Sequence, residues 1–405
     1  MASQAPGFNK AFLDQYLQDY YLHLFPAKLY MKWLAYGKPA KELLNRREFG
    51  FTFDQAMHRY LSFTDPNELT KQLVAKKPRK FEIGAVATVP MAQRDSVCKE
   101  EFEWVERELT FDIDMDDYNS VRTCCQDKKV CQKCWSFISI GAKVINFILT
   151  EHFGFKKLLF VFSGRRGLHV WCADDKARKL GDLERKAIYD YLNCRDLRIN
   201  KDKRLHKSIL DFCRVILDAP ETVDLVVDQG WMENTEDWLK KCPNRKLESQ
   251  IRTAFKKMPD PAKRFELLKC ICDPKSHKES ESRLEPPTPE AVAFFYLFLL
   301  ERMHPKMDAP ITTKTYHLLK SPFCVHPETG MVSVPFSANS GHLFRLDKVP
   351  RVDELIKQLK NAKAIQDESA DEKENARKVL YYKRTDLAPY IENFEVFINN
   401  VVKDA

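Results

Sequence analysis

Phe8, Phe12, Tyr16, Tyr20 and Leu24 recur at helical spacing, which predicts helix over 8–36 with a break at Pro26. An aromatic stripe of that kind reads as core. The period then shortens towards two. β-Prone runs near 81–89, 108–115, 157–163, 168–173 and 331–335 predict strands, with helices between them, as in a mixed α/β sheet. From about 191 to 304 the pattern becomes helical, with segments at 231–241, 249–257 and 291–302 and a proline-rich loop at 285–289. Residues 361–378 are charged without apolar spacing and read as a mobile loop or exposed helix. In the tail, Leu387, Tyr390, Ile391, Phe394, Phe397, Ile398 and Val401 share one helical face, with Asp386 as candidate N-cap. That face is expected to dock on the chain's own sheet.

The strand-like run over 108–115 places Leu109, Phe111, Ile113 and Met115 on one side and Thr110, Asp112 and Asp114 on the other. Burial of the apolar side leaves two carboxylates roughly 6–7 Å apart at their α-carbons. Two negative charges so close call for a cation or a proton, and Mg²⁺ and Mn²⁺ prefer oxygen ligands. The pair therefore reads as half of a metal site for phosphoryl transfer, against the plainer reading of solvated surface. Further on, Leu158–Phe162 and Leu168–Cys172 flank the turn Ser163-Gly164-Arg165-Arg166-Gly167, a hairpin signal. Ser163, Arg165, Arg166 and His169 then form one patch able to grip a triphosphate, since Arg matches phosphate oxygens in a bidentate fork. A tight turn with two exposed arginines is the alternative.

Composition narrows the class. The chain has 405 residues, 44% hydrophobic and 31% charged, as expected of a globular protein with two lobes or domains. The apolar run at 291–300 lies between Glu290 and Glu301 and is too short to span a bilayer. The N-terminus has no secretory pattern, so a cytosolic or nuclear location without membrane partners is expected. A net charge of +8 is modest, and nucleic-acid binding would need local basic surface. Lys76-Lys77-Pro78-Arg79-Lys80 is the densest basic run, read as a solvated loop ahead of an import signal or phosphate contact. Twelve cysteines without a secretory signal imply reduced or metal-bound thiols. Cys98, Cys194, Cys213 and Cys242 read as packed or idle. Cys124, Cys125, Cys131 and Cys134 form a CC-x5-C-x2-C cluster suited to tetrahedral zinc, with scattered thiols as the alternative. The helical pattern of Phe137, Ile140, Val144, Ile145 and Ile148 follows it.

On these motifs the sequence resembles the small catalytic subunit of archaeal and eukaryotic DNA primases, most closely the eukaryotic form. The matching blocks are Arg47-Glu48-Phe49, FDIDM at 111–115, the Cys124 to Cys134 cluster, SGRRGLH at 163–169 and LLKSPFCVHPETG at 318–330. They stand in the family's order between residues 20 and 395. The resemblance implies a structural Zn²⁺ on the four cysteines, in a small loop over 121–135. It implies Asp308 as a third carboxylate beside Asp112 and Asp114, together holding two catalytic Mg²⁺ or Mn²⁺ ions. Lys320 and His326 match nucleotide-contacting positions, and Glu48 and Arg59 match residues beside the nucleotide. Because Asp308 and Lys320 must return to the site, 191–304 reads as a helical insertion subdomain in a primase catalytic fold built from 1–190 and 305–405.

The implied activity is synthesis of RNA primers from nucleoside triphosphates on single-stranded DNA, in the nucleus. The implied partners are a large iron–sulfur primase subunit and the DNA polymerase alpha catalytic subunit. A primase-polymerase of the same superfamily, incorporating deoxynucleotides in repair or damage bypass, is the alternative. Template-free nucleotidyltransferases place a Gly-Ser element before the acidic pair, which this chain lacks. A zinc scaffold would need neither the SGRRG hairpin nor Asp308.

Overall fold

The computed structural model describes residues 8–194, 205–280, 285–368 and 380–403. Parts of the expected helical insertion (195–204 and 281–284) and of the charged segment (369–378) lie outside the described residues. Strands run over Arg47–Thr52 (β1), Met57–Leu61 (β2), Lys80–Ala87 (β3), Trp104–Glu106 (β4), Leu109–Asp114 (β5), Leu158–Phe162 (β6), Gly167–Cys172 (β7), Leu319–Lys320 (β8) and Pro335–Phe336 (β9). One sheet has the order β2-β1-β3-β4 with β8 also on β3, and the other has the order β5-β7-β6-β9.

Each of these pairings is antiparallel, so two antiparallel sheets stand where one mixed sheet was expected. Short turns leave no alternative: β1 reaches β2 through a turn closed by Phe53 N to Ala56 O at 2.7 Å, and four residues join β6 to β7. β1 and β2 were not predicted, because their burial does not alternate. The expected strand at 331–335 reduces to isolated bridges at Met331 and Val332 and the two-residue β9.

The core reading of the first helix holds with a phase change. A 3₁₀ turn at Lys10–Phe12 precedes the helix Leu13–His23, which buries Leu13, Leu17, Tyr20 and Tyr21. Phe12 is consequently exposed. After Pro26 a second helix, Ala27–Ala35, carries Trp33 against Trp171 of β7 at 5.5 Å and Phe394 at 5.6 Å. Phe394 belongs to the C-terminal helix Ala388–Val402, whose apolar face docks on the chain itself. Its N-cap is Leu387 rather than Asp386. The Asp386 carboxylate instead accepts from Gln358 Nε2 at 2.7 Å.

Helices fill the described residues between Lys207 and Met303, including Arg245–Lys256, close to the predicted 249–257. Pro289–Met303 buries most of its apolar side chains, including Phe294, Phe295, Phe298 and Leu299, and leaves a stripe through Glu290, Ala293, Leu297 and Glu301 less covered. Of the segment expected at 231–241 only Glu236–Leu239 is helical, following a turn at Gly230 with φ +66°. Residues 361–368 continue the helix Val352–Glu368. No helix among the described residues is long and apolar enough to cross a membrane.

Candidate active site and cysteine cluster

The β5 side chains sort as the alternation requires. Leu109, Phe111, Ile113 and Met115 are fully buried. Thr110 is buried too, its hydroxyl donating to Ile311 O at 3.2 Å, so Asp112 and Asp114 are the members of the polar face that reach the cleft. Across the ladder Asp112 stands opposite His169 and Asp114 opposite Gly167. A side chain at 167 would place a Cβ 2.6 Å from Ile113 O, so this close approach of the two strands requires glycine.

Asp308 arrives from far along the chain. Met307 forms a bridge with Ile113, and Asp308 N donates to Asp112 O at 2.9 Å. The consequence shows in Asp112. Burial first, then the charges of Asp114 and Asp308, push its carboxyl up to about 7. Asp112, Asp114 and Asp308 are thus close enough for their charges to act on one another.

Cations face them from the hairpin. Arg166 Nε lies 2.7 Å from Asp114 Oδ1, and Arg166 Nη2 lies 2.6 Å from Asp116 Oδ2. Lys320, in β8 of the other sheet, crosses to donate to the Ser163 carbonyl. Ser163 Oγ accepts from Gly167 N at 2.9 Å and so shapes the turn. His169 Nε2 lies 3.7 Å from Asp112 Oδ1, beyond hydrogen-bonding distance. Burial, then the charge of Lys320, holds its imidazole down to about 3, and it stays neutral at physiological pH. His326 is held down to about 2 by burial and by Lys320, Arg165, Lys80 and Arg166. The Arg165 charge therefore reaches His326. The patch expected of Ser163, Arg165, Arg166 and His169 is enlarged by Lys320 and His326 from the other side of the cleft.

Glu48 and Arg59 occur as a pair. Arg59 Nε donates to Glu48 Oε1 at 2.8 Å and Nη2 to Oε2 at 3.0 Å, and Tyr60 N adds a bond at 3.1 Å. This is no surface salt bridge, since Glu48 is fully buried. Arg59 Nη2 also donates to Tyr316 O at 2.9 Å, tying the pair to the segment between Asp308 and Lys320. Glu48 thus acts through Arg59 in this geometry.

Several residues here escaped the reading of the sequence. Asp116 was legible as a continuation of the Asp112/Asp114 period and holds Arg166. Arg107 gave no signal. Its Nη1 donates at 3.0 Å to both Ile311 O and Lys314 O, bracing the turn that carries Asp308. Lys80 was seen only as part of a basic run.

The four cysteines form a separate centre. Cys131 caps the helix Gln132–Phe147, which buries Phe137, Ile140, Val144 and Ile145, and Cys134 lies in its first turn. The ligand atoms of Cys124, Cys125, Cys131 and Cys134 all lie within 4.8 Å of one another. Cys131 Sγ is 3.8 Å from both Cys124 Sγ and Cys134 Sγ. Tetrahedral sulfur ligation at about 2.3 Å implies S···S distances of about 3.8 Å, so these residues fit a metal ion such as zinc. Shared hydrogen bonds, first that from Cys134, draw the Cys124 thiol down to about 5, while burial pushes Cys125 up to about 11 and the bond to Cys124 holds the proton on Cys134. Gln229, contributed by the helical region, donates from Nε2 to Cys124 Sγ at 3.3 Å and accepts from Thr123 N at 2.7 Å. Arg122 braces the loop through Lys129 O and Asp127 O, each at 2.7 Å. No sequence signal pointed to Gln229.

The α/β fold thus brings an acidic strand opposite a cationic hairpin and holds, apart from them, a four-cysteine cluster that could bind a metal ion. Residues 111–338 match the family model for the DNA primase small subunit. The chain is 36% identical to a DNA primase small subunit of Caenorhabditis elegans, over 97% of this chain and 99% of that one. The corresponding proteins of Saccharomyces cerevisiae and Drosophila melanogaster are 33% and 32% identical, covering 96% and 98% of this chain and 92% and 93% of theirs. The chain belongs to the DNA primase small subunit family. Membership implies primer synthesis, a nucleotidyltransferase type of enzyme and a complex with a large subunit.

Proposed function

We propose that the chain is the catalytic subunit of a DNA-dependent RNA polymerase, a primase that joins ribonucleotides into short primers on single-stranded DNA. The observation that carries this is the convergence of Asp112, Asp114 and Asp308 opposite Arg165, Arg166 and Lys320, in a chain of the primase small-subunit family. Two Mg²⁺ or Mn²⁺ ions held by the three carboxylates would lower the pKa of a primer 3′-hydroxyl and neutralise the departing pyrophosphate. The Arg165 and Arg166 guanidiniums would offset the triphosphate charge, joined by Lys320, whose pKa burial holds below its ordinary value. His169 and His326, both neutral, offer hydrogen bonds rather than charge. Ser163 keeps the turn closed, and Arg59, oriented by Glu48, borders the nucleotide.

The cysteine cluster takes Zn²⁺ in a structural role, because four sulfurs leave no position for a catalytic water. Residues 1–190 and 305–405 make up the catalytic domain and 191–304 an inserted helical subdomain. The large subunit carries an iron–sulfur cluster, DNA polymerase alpha takes over the primer, and the work is nuclear.

A gel assay with poly-deoxythymidine, labelled ATP and Mn²⁺ tests the reading. Wild type should produce short RNA products and Asp112→Asn none. Primer synthesis by Asp112→Asn at the wild-type rate would overturn it.

A further inference from the structure

Beside the nucleotide site, Arg59 is flanked by aromatic and guanidinium planes that have no role in the mechanism above. Strand β2 is the outermost strand of its sheet. On it Tyr60 has φ +60°, a backbone region that a bulky side chain rarely occupies and that marks functional positions more often than chance. The Arg94 guanidinium lies 3.8 Å from the centre of the Tyr60 ring, and that of Arg59 lies 5.3 Å away on the same ring. Arg59 reaches the Tyr316 carbonyl, and the Tyr316 ring stacks on His317 at 4.8 Å with 27° between planes. Tyr316 is nevertheless 44% exposed. A row therefore runs from Arg94 through Tyr60 and Arg59 to the Tyr316 carbonyl, beyond which the Tyr316 and His317 rings lie together.

We infer that this ledge is the docking surface of the single-stranded DNA template, with a base stacking on the exposed Tyr316 ring and Arg94, which lies over Tyr60 and Phe102, gripping the strand beside it. The inference rests on the primase reading and adds to it the place of the template. Stacking on aromatic rings and guanidinium planes suits a strand read by pairing rather than by protein contacts, because every base offers a π-face. The charge is complementary. Arg94 is 36% exposed and its acidic partner, Asp95, is 89% exposed; such a pair is held weakly, and a backbone phosphate can displace it. The position also fits: the Tyr316 segment joins Asp308 to Lys320, so a base stacked there lies next to the nucleotide it would pair with.

The test uses the full chain as wild type, Tyr316→Ala, Tyr316→Phe and Arg94→Ala. Each is titrated by anisotropy with fluorescein-labelled oligodeoxythymidylate and, in a parallel arm, oligouridylate, and separately with Mn²⁺ and UTP, without nucleic acid, by calorimetry. Tyr316→Ala and Arg94→Ala should each weaken oligonucleotide binding about tenfold. Tyr316→Phe should bind as wild type, because it keeps the ring. Binding of Mn²⁺ and UTP should be unchanged in all three, since the Tyr316 group that touches Arg59 is a main-chain carbonyl. Undiminished oligonucleotide binding by both alanine variants would overturn the ledge while leaving the primase reading intact. So would a loss confined to oligouridylate, which would assign the surface to the primer. Failure of the wild type to bind Mn²⁺ and UTP would instead defeat the primase reading itself.

Discussion

The two donor sets of this chain are built in opposite ways. The sulfur set comes from one loop, Cys124 to Cys134, and closes on itself with little help beyond Gln229 and Arg122. The oxygen set is assembled from β5 and Asp308, with its counter-charges on the turn between β6 and β7 and on β8. Local assembly gives a set in which the groups share hydrogen bonds. Distant assembly gives one in which three carboxylates repel each other and are held by the fold, with Arg166 and Lys320 to balance them.

The largest expected effect is on the oxygen set. Asp114→Asn or Asp308→Asn should lower nucleotide addition by roughly a hundredfold or more, measured by primer extension. Metal on the cysteines should be unaffected. Loss of that metal in either variant would show that the two centres are not separable.

Cys131→Ser should do the reverse. It should abolish metal binding by the cluster and cost about 3 kcal/mol or more of stability, read from denaturant unfolding and metal analysis. Full metal content in this variant would return the cluster to scattered thiols.

A pH experiment separates the sets further. The folded chain holds the Asp112 proton up to about 7, well above the ordinary carboxyl value. Its contribution to the stability of the metal-free protein is therefore full at acid pH and is lost as pH rises through about 7. A divalent ion must displace that proton, so Mn²⁺ affinity should rise over the same interval. Thermal midpoints between pH 5 and 8.5 should show a slope in wild type that Asp112→Asn flattens; equal slopes would contradict the crowding. The smallest effect is expected at the turn: Ser163→Ala leaves Gly167 N without its side-chain acceptor and should cost about 1 kcal/mol by chemical denaturation.

The same contrast governs what the sequence disclosed. The cysteine spacing, the alternation over 109–115 and the glycine-flanked turn are local patterns, and the structure places those side chains as the patterns require. Asp308 carries no local signal. Its approach depends on the bridge between Met307 and Ile113, and without the family resemblance it reads as loop surface. Glu48 looked like a surface acid among arginines, yet it is buried under Arg59, a partner fixed by the unpredicted β1–β2 pair. The Asp386 cap failed because helix Ala388–Val402 begins one residue later than the pattern allowed.

Electron paramagnetic resonance of Mn²⁺ in the presence of UTP tests the central claim most directly, by counting ions bound per chain in wild type, Asp112→Asn and Asp308→Asn. Two UTP-dependent ions in wild type, with loss in both variants, is the predicted result. Equal Mn²⁺ binding by all three proteins would contradict the assignment of these carboxylates as the metal-holding set.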